Sequence, residues 1–122
     1  MQTEIILLGH GSRRVEANQG LIEVANKVES LLGRPVTPAF MSHGSPSLPQ
    51  AVRDKARQGA KKVIVMPLFL FSGMHVTVDI HEEVAEVREE FPEVEIIFSE
   101  ALGADDMIAN LASVRIKEAM GA

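Results

Sequence analysis

The sequence contains no cysteine, tryptophan or tyrosine, and aromatic residues fill only 4% of its 122 positions. Without cysteine there is no disulfide framework, thiolate metal site, iron–sulfur cluster or cysteine nucleophile. Any metal must be held by histidine, carboxylate, hydroxyl or substrate. Positive charge is scarce as well: twelve Lys and Arg stand against seventeen Asp and Glu, a net charge of −5. No stretch joins a dense basic patch to stacking aromatics, which argues against nucleic acid as a partner. Long hydrophobic runs are also missing. The run from Ile5 to Leu8 is too short for a membrane span or a signal peptide and follows no basic segment. A soluble, cytoplasmic protein with no membrane contact is expected. The length suits a single domain, residues 1–122, with a real core, and is too short for a cofactor domain plus a substrate domain.

What is present is aliphatic. Ile5-Ile6-Leu7-Leu8, ended by Gly9, has the form of a short strand buried on both faces. Leu21, Val24, Ala25, Val28, Leu31 and Leu32 recur at helical spacing up to Gly33. Val36 to Phe40 reads as a second strand, irregular or near an edge because of Pro35 and Pro38. A helix over about 50–58 follows, with Ser47 as candidate N-cap and Pro49 in its first turn. Val63 to Met66 is the clearest buried strand. Pro67 to Gly73 leaves it as an apolar loop, a helix spans about 77–91 with Val78, Val84 and Val87 inward, and Val94 to Phe98 is the fourth strand. Met107, Ile108, Leu111, Val114 and Ile116 mark a final helix. The alternation predicts an α/β fold: a four-stranded parallel sheet with helices on both faces, of flavodoxin-like topology, with its site beyond the carboxyl ends of the strands. Four strands is small for this architecture, so a flank or face completed by a second copy is expected.

Histidines fall after three of the strands. His10, between Gly9 and Gly11, stands where the backbone can turn sharply or approach a ligand. It is read as functional, the alternative being a turn histidine satisfied by backbone. His75 ends the apolar Pro67-to-Met74 segment, which reads as a pocket wall or a subunit contact. A histidine there can act as a neutral nitrogen ligand or a proton acceptor. Asp79, four residues on, is either its orienting carboxylate or a first-turn helix residue. His43 lies in a second His-Gly-Ser, after the second strand, and is either a third donor for a borderline-soft divalent metal or a loop residue by chance.

Other constellations are weak or absent. His81 precedes Glu82 and Glu83 without completing HExxH and reads as a surface residue. No phosphate loop, GxGxxG or GxSxG occurs. Arg13 and Arg14 are candidate binders of a ligand's carboxylate or phosphate, or helix-flanking surface residues. Asn18 either caps the first helix or reaches the site. Nine carboxylates and one arginine crowd into residues 79–100. They read as the solvated side of a helix, with a cation-attracting field as the alternative.

Leu7-Leu8-Gly9-His10-Gly11-Ser12-Arg13, Pro46-Ser47-Leu48 before a helix, and Val65-Met66-Pro67-Leu68-Phe69-Leu70 with Gly73-Met74-His75 and Asp79-Ile80 resemble the short sirohydrochlorin cobaltochelatases of the class II chelatases. The likeness runs over essentially the whole chain. It implies a chelatase-like half-unit that works as a homodimer and inserts a divalent metal into sirohydrochlorin without ATP or an organic cofactor. Co²⁺ is the expected metal, with Ni²⁺ or Fe²⁺ as alternatives. His10 and His75 are then the catalytic and metal-binding pair, with His43 as a further candidate ligand. Arg13, Ser42, His43, Phe69, Leu70, Phe71, Ser72, Gly73 and Met74 are expected to meet the tetrapyrrole. Ser42 and Ser45 stand where the family carries carboxylates, so altered chelation, or a non-catalytic metal or tetrapyrrole carrier, is the second reading.

Overall fold

The computed structural model describes residues 2–71 and 73–121, and of His75 the backbone alone. The chain runs β1 (Thr3–Gly9), α1 (Val15–Leu32), β2 (Val36–Phe40), α2 (Leu48–Arg57), β3 (Lys62–Pro67), α3 (Met74–Glu83), α4 (Ala85–Glu90), β4 (Glu95–Phe98) and α5 (Asp106–Ala119). All pairings are parallel and the strand order is β2-β1-β3-β4. Proline-bearing β2 lies at an edge, where an absent N–H disturbs the ladder least. From β1 the chain moves through α1 to β2, then reverses across β1 to reach β3 through α2. Right-handed crossovers put α1 on one face and the helices that follow the reversal, α2 to α4, on the other.

The two faces are filled unequally. Alternate residues of the inner strands, Ile6 and Leu8 on β1 with Val63 and Val65 on β3, meet Leu48 and Val52 of α2, Ile80 and Val84 of the α3 end, and Val87 of α4. Ser47 starts α2 as expected, its Oγ accepting from the Gln50 N–H at 3.3 Å, and the helix opens at Leu48, two residues earlier than the sequence suggested. Arg53 joins α2 to α4 through Glu90 at 2.7 Å. On the opposite face Leu21 and Ala25 of α1 cover Leu7, Val36 and Phe40. Leu31, at the end of the apolar repeat of α1, is 86% exposed.

Two helical expectations need correction. The helix expected over 77–91 begins at Met74 and breaks at Val84, whose φ of −104° and ψ of 3° leave the helical basin. Val84 is fully buried there, so seating this β-branched side chain prevails over one continuous helix. Val78, expected inward, is half exposed. The final helix forms as expected, yet none of its residues is buried. Among the described residues no helix is long and apolar enough to cross a membrane.

Candidate active site

Strands β1 and β3 are neighbours whose connections depart to opposite faces, which opens a crevice beyond their carboxyl ends. His10 directly follows β1, His43 lies in the loop after β2, and the backbone of His75 follows β3. All three positions therefore share one edge of the sheet. His75 is not in a loop, as its apolar leader suggested, but is the second residue of α3. Its side chain lies outside the described residues, as does the whole of Ser72.

The first two loops are stitched together by backbone. Gly11 has φ of +88°, and a Cβ there would lie 1.5 Å from the Ser42 carbonyl oxygen, so only glycine lets the strands' exits touch. The Ser42 N–H donates to the His10 carbonyl at 3.0 Å, and Ser42 Oγ lies 3.3 Å from the same oxygen. Ser42, expected to meet the substrate, is thus engaged in bracing the loop that bears His10. Asn18 completes the join. Its Nδ2 donates to the carbonyls of Ser12 and His43 at 2.9 and 2.8 Å, and its Oδ1 accepts from the Ser12 N–H at 2.9 Å. Asn18 therefore does not cap α1, whose N-cap is Arg14. The second loop folds back on its own strand: the Phe40 N–H donates to the Pro46 carbonyl at 3.0 Å, and a Cβ on Gly44 would meet the Phe40 ring at 2.5 Å. His43 is held at φ +51°, in the left-handed region that side-chain-bearing residues seldom occupy.

His10 is exposed, and its ring stacks on Phe69 with centroids 3.9 Å apart and planes 22° from parallel. Phe69 is itself buried. It supports the imidazole from beneath instead of offering a surface to a ligand, because the core of α2 and α3 claims the rest of the ring. The apolar surface at the rim comes from Leu70, Phe71 and Met74, which are 51%, 69% and 84% exposed, beside the exposed Gly73. Arg13 is exposed next to His10.

Two cavities flank this edge. One of about 290 Å³ adjoins His10 and is lined by Ser12, Asn18, Leu21, Phe40 and Leu68. The other, of about 400 Å³, is lined by Met41, Asp79, Glu82 and Glu83. The acidic stretch is therefore divided: three carboxylates face a common cavity, while Glu90 is paired to Arg53. His81 packs edge-on against Phe98 at 4.9 Å and stays out of the crevice, as its sequence context suggested. Among the described residues no three metal-binding side chains form a cluster. The bracing by Asn18 and the support from Phe69 were not legible beforehand, since neither residue type carries a signature for such work.

The CbiX family model matches residues 4–119. The chain is 34% identical to a sirohydrochlorin cobaltochelatase of Methanocaldococcus jannaschii, over 88% of this chain and 92% of that one. It is also 34% identical to the chloroplastic sirohydrochlorin ferrochelatase of Arabidopsis thaliana, over 95% of this chain but 52% of the plant protein. The sirohydrochlorin chelatase SirB of Bacillus subtilis subspecies spizizenii, solved in complex with cobalt, superposes with a TM-score of 0.88 at 27% identity. That match covers 97% of this chain and 51% of SirB. The chain thus spans nearly the full length of the archaeal relative and about half that of the plant and Bacillus proteins.

Proposed function

Because the chain belongs to the CbiX family, we propose that it inserts a divalent metal, Co²⁺ foremost and Ni²⁺ or Fe²⁺ as alternatives, into sirohydrochlorin in the cytoplasm, as a homodimer. The observation that carries this reading is the convergence, at the sheet's reversal point, of an exposed imidazole with an exposed apolar rim and a carboxylate-lined cavity. Insertion exchanges two pyrrole protons for one dication, so the site must hold a cation loosely, accept protons and bed a flat apolar macrocycle.

Each demand has a candidate group. His10, oriented by Phe69, supplies a nitrogen donor and proton acceptor, and His75 at the start of α3 is its counterpart. His43 is a third, weaker donor on the braced loop. Asp79, Glu82 and Glu83 attract the cation before transfer. Leu70, Phe71 and Met74 bed the macrocycle, and Arg13 answers one of its rim carboxylates. The second reading, a non-catalytic carrier of metal or tetrapyrrole, is favoured by the serines at positions 42 and 45 in place of carboxylates. An anaerobic absorbance assay with sirohydrochlorin and Co²⁺, against a protein-free control, separates the two. Metal insertion faster than the control is expected. Binding of either component without acceleration would replace the chelatase with the carrier.

A further inference from the structure

The sixth residue of α1 is a glycine that the fold does not require. Gly20 lies inside the helix, where glycine is among the poorest formers, and it has no positive φ to justify it. A Cβ at this position would meet no atom within 4 Å, so no close approach demands its absence either. In this it differs from Gly11 and Gly44, whose missing side chains make room for Ser42 and Phe40. Gly20 instead lines the cavity of about 290 Å³ that adjoins His10, and the absent side chain keeps that cavity wide.

The cavity is placed and built for part of a ligand. Leu68 and Phe69 leave β3 toward opposite faces of the sheet. Phe69 supports the imidazole, while Leu68 joins Leu21 and Phe40 in the apolar lining on the α1 side. The aromatic support and the cavity thus meet at His10. The volume lies at the lower end of the roughly 300–1,000 Å³ of small-molecule pockets, which suits one arm of a tetrapyrrole and not the whole disc. Asn18, also in the lining, is consumed by the two loops. Ser12 is not: its Oγ accepts from the Arg14 N–H at 3.0 Å, which leaves its own O–H to donate. The exposed Arg13 is next in the chain. An apolar sleeve with a hydroxyl and a guanidinium beside it matches an alkyl chain that ends in a carboxylate. We propose that this cavity receives one carboxyalkyl arm of the macrocycle, its stem against Leu21, Phe40 and Leu68 and its carboxylate toward Ser12 and Arg13. Gly20 then determines which arms fit. The inference rests on sirohydrochlorin as the substrate and adds an anchor for its periphery. One arm held beside His10 stops the disc turning in its own plane and fixes which pyrrole nitrogens meet the imidazole.

Gly20→Leu tests this by filling the cavity from a position the fold leaves open. Sirohydrochlorin binding is followed without metal by absorbance titration of the full chain, and Co²⁺ insertion is measured on the same proteins. Gly20→Leu is expected to weaken sirohydrochlorin binding, and to lower kcat/KM, by at least about tenfold. Its Co²⁺ affinity without tetrapyrrole and its sedimentation coefficient should match the parent's. Gly20→Ala should melt a few degrees higher than the parent and bind alike, since a methyl leaves most of the cavity open. Ser12→Ala should weaken binding by about threefold, and parent-like affinity there would overturn the carboxylate at the hydroxyl. A Gly20→Leu protein that melts like the parent and binds sirohydrochlorin as tightly overturns the subsite. A changed sedimentation coefficient assigns the cavity to a second copy and overturns it equally. If Gly20→Leu melts well below the parent, Gly20→Met, with a more adaptable side chain, is judged by the same criteria. A parent that binds sirohydrochlorin yet inserts no Co²⁺ defeats the chelatase reading, and the titration alone then decides the subsite. A parent that binds no sirohydrochlorin overturns both.

Discussion

The tripeptide His-Gly-Ser occurs twice, after β1 and after β2, and the two copies are built to different ends. In the first, the glycine takes the left-handed conformation, so that His10 keeps an ordinary backbone and lays its ring flat on Phe69. In the second, the histidine takes that conformation itself, and the glycine is spent on clearing the Phe40 ring. Aromatic support fixes the imidazole of His10, whereas what is fixed at His43 is the main chain, through its carbonyl and Asn18. Identical local sequence thus yields one held side chain and one held backbone, and the neighbours decide which.

The difference can be broken most forcefully at His10. His10→Ala is expected to lower the rate of Co²⁺ insertion by about a hundredfold, since it removes a proton acceptor and metal donor at once. Its melting temperature should stay within a few degrees of the parent, because the ring is exposed. A parent-like rate would remove His10 from the mechanism. Gly11→Ala comes next. The added methyl has no room against Ser42 and forces positive φ on a residue that resists it, so a loss of at least about 2 kcal/mol is expected in urea denaturation. Unchanged stability would mean that the two loops are free to separate.

The smallest effect is expected at His43, and it sharpens the comparison most. His43→Gly relieves a left-handed non-glycine residue and should raise stability by about 0.5–1 kcal/mol, less the entropy that glycine costs the folded state. Insertion should fall by no more than about tenfold, and Co²⁺ affinity should weaken with it. A rise in stability with no change in rate or affinity would make His43 a turn residue only. Backbone strain retained at a site edge is otherwise what a functional side chain there would demand.

A second contrast lies between the faces of the sheet. The side covered by α2, α3 and α4 holds sixteen buried core residues among those described, the side covered by α1 five. Pattern alone does not reveal that shortage. Both α1 and α5 carry apolar residues at helical spacing, yet α1 buries Leu21 and Ala25 while α5 buries none of its residues. The stretch between β4 and α5 is held by hydrogen bonds from the Leu102 N–H to the Phe69 carbonyl and from the Gly103 N–H to the Leu70 carbonyl, tertiary contacts that residue spacing does not record.

The sequence by itself determined the alternation of strands and helices, the parallel sheet, the capping of α2 by Ser47, and the placing of His10, His43 and His75 at one edge. Each follows from local chemistry: apolar runs of strand length, turn residues, and connections long enough only for crossovers. Tertiary structure decided that Phe69 lies under His10, that Asn18 binds two loops instead of capping a helix, that α3 breaks at Val84, and that α5 stays bare. Those outcomes depend on what approaches a residue from a distant part of the chain. Spacing along the sequence carries no record of it.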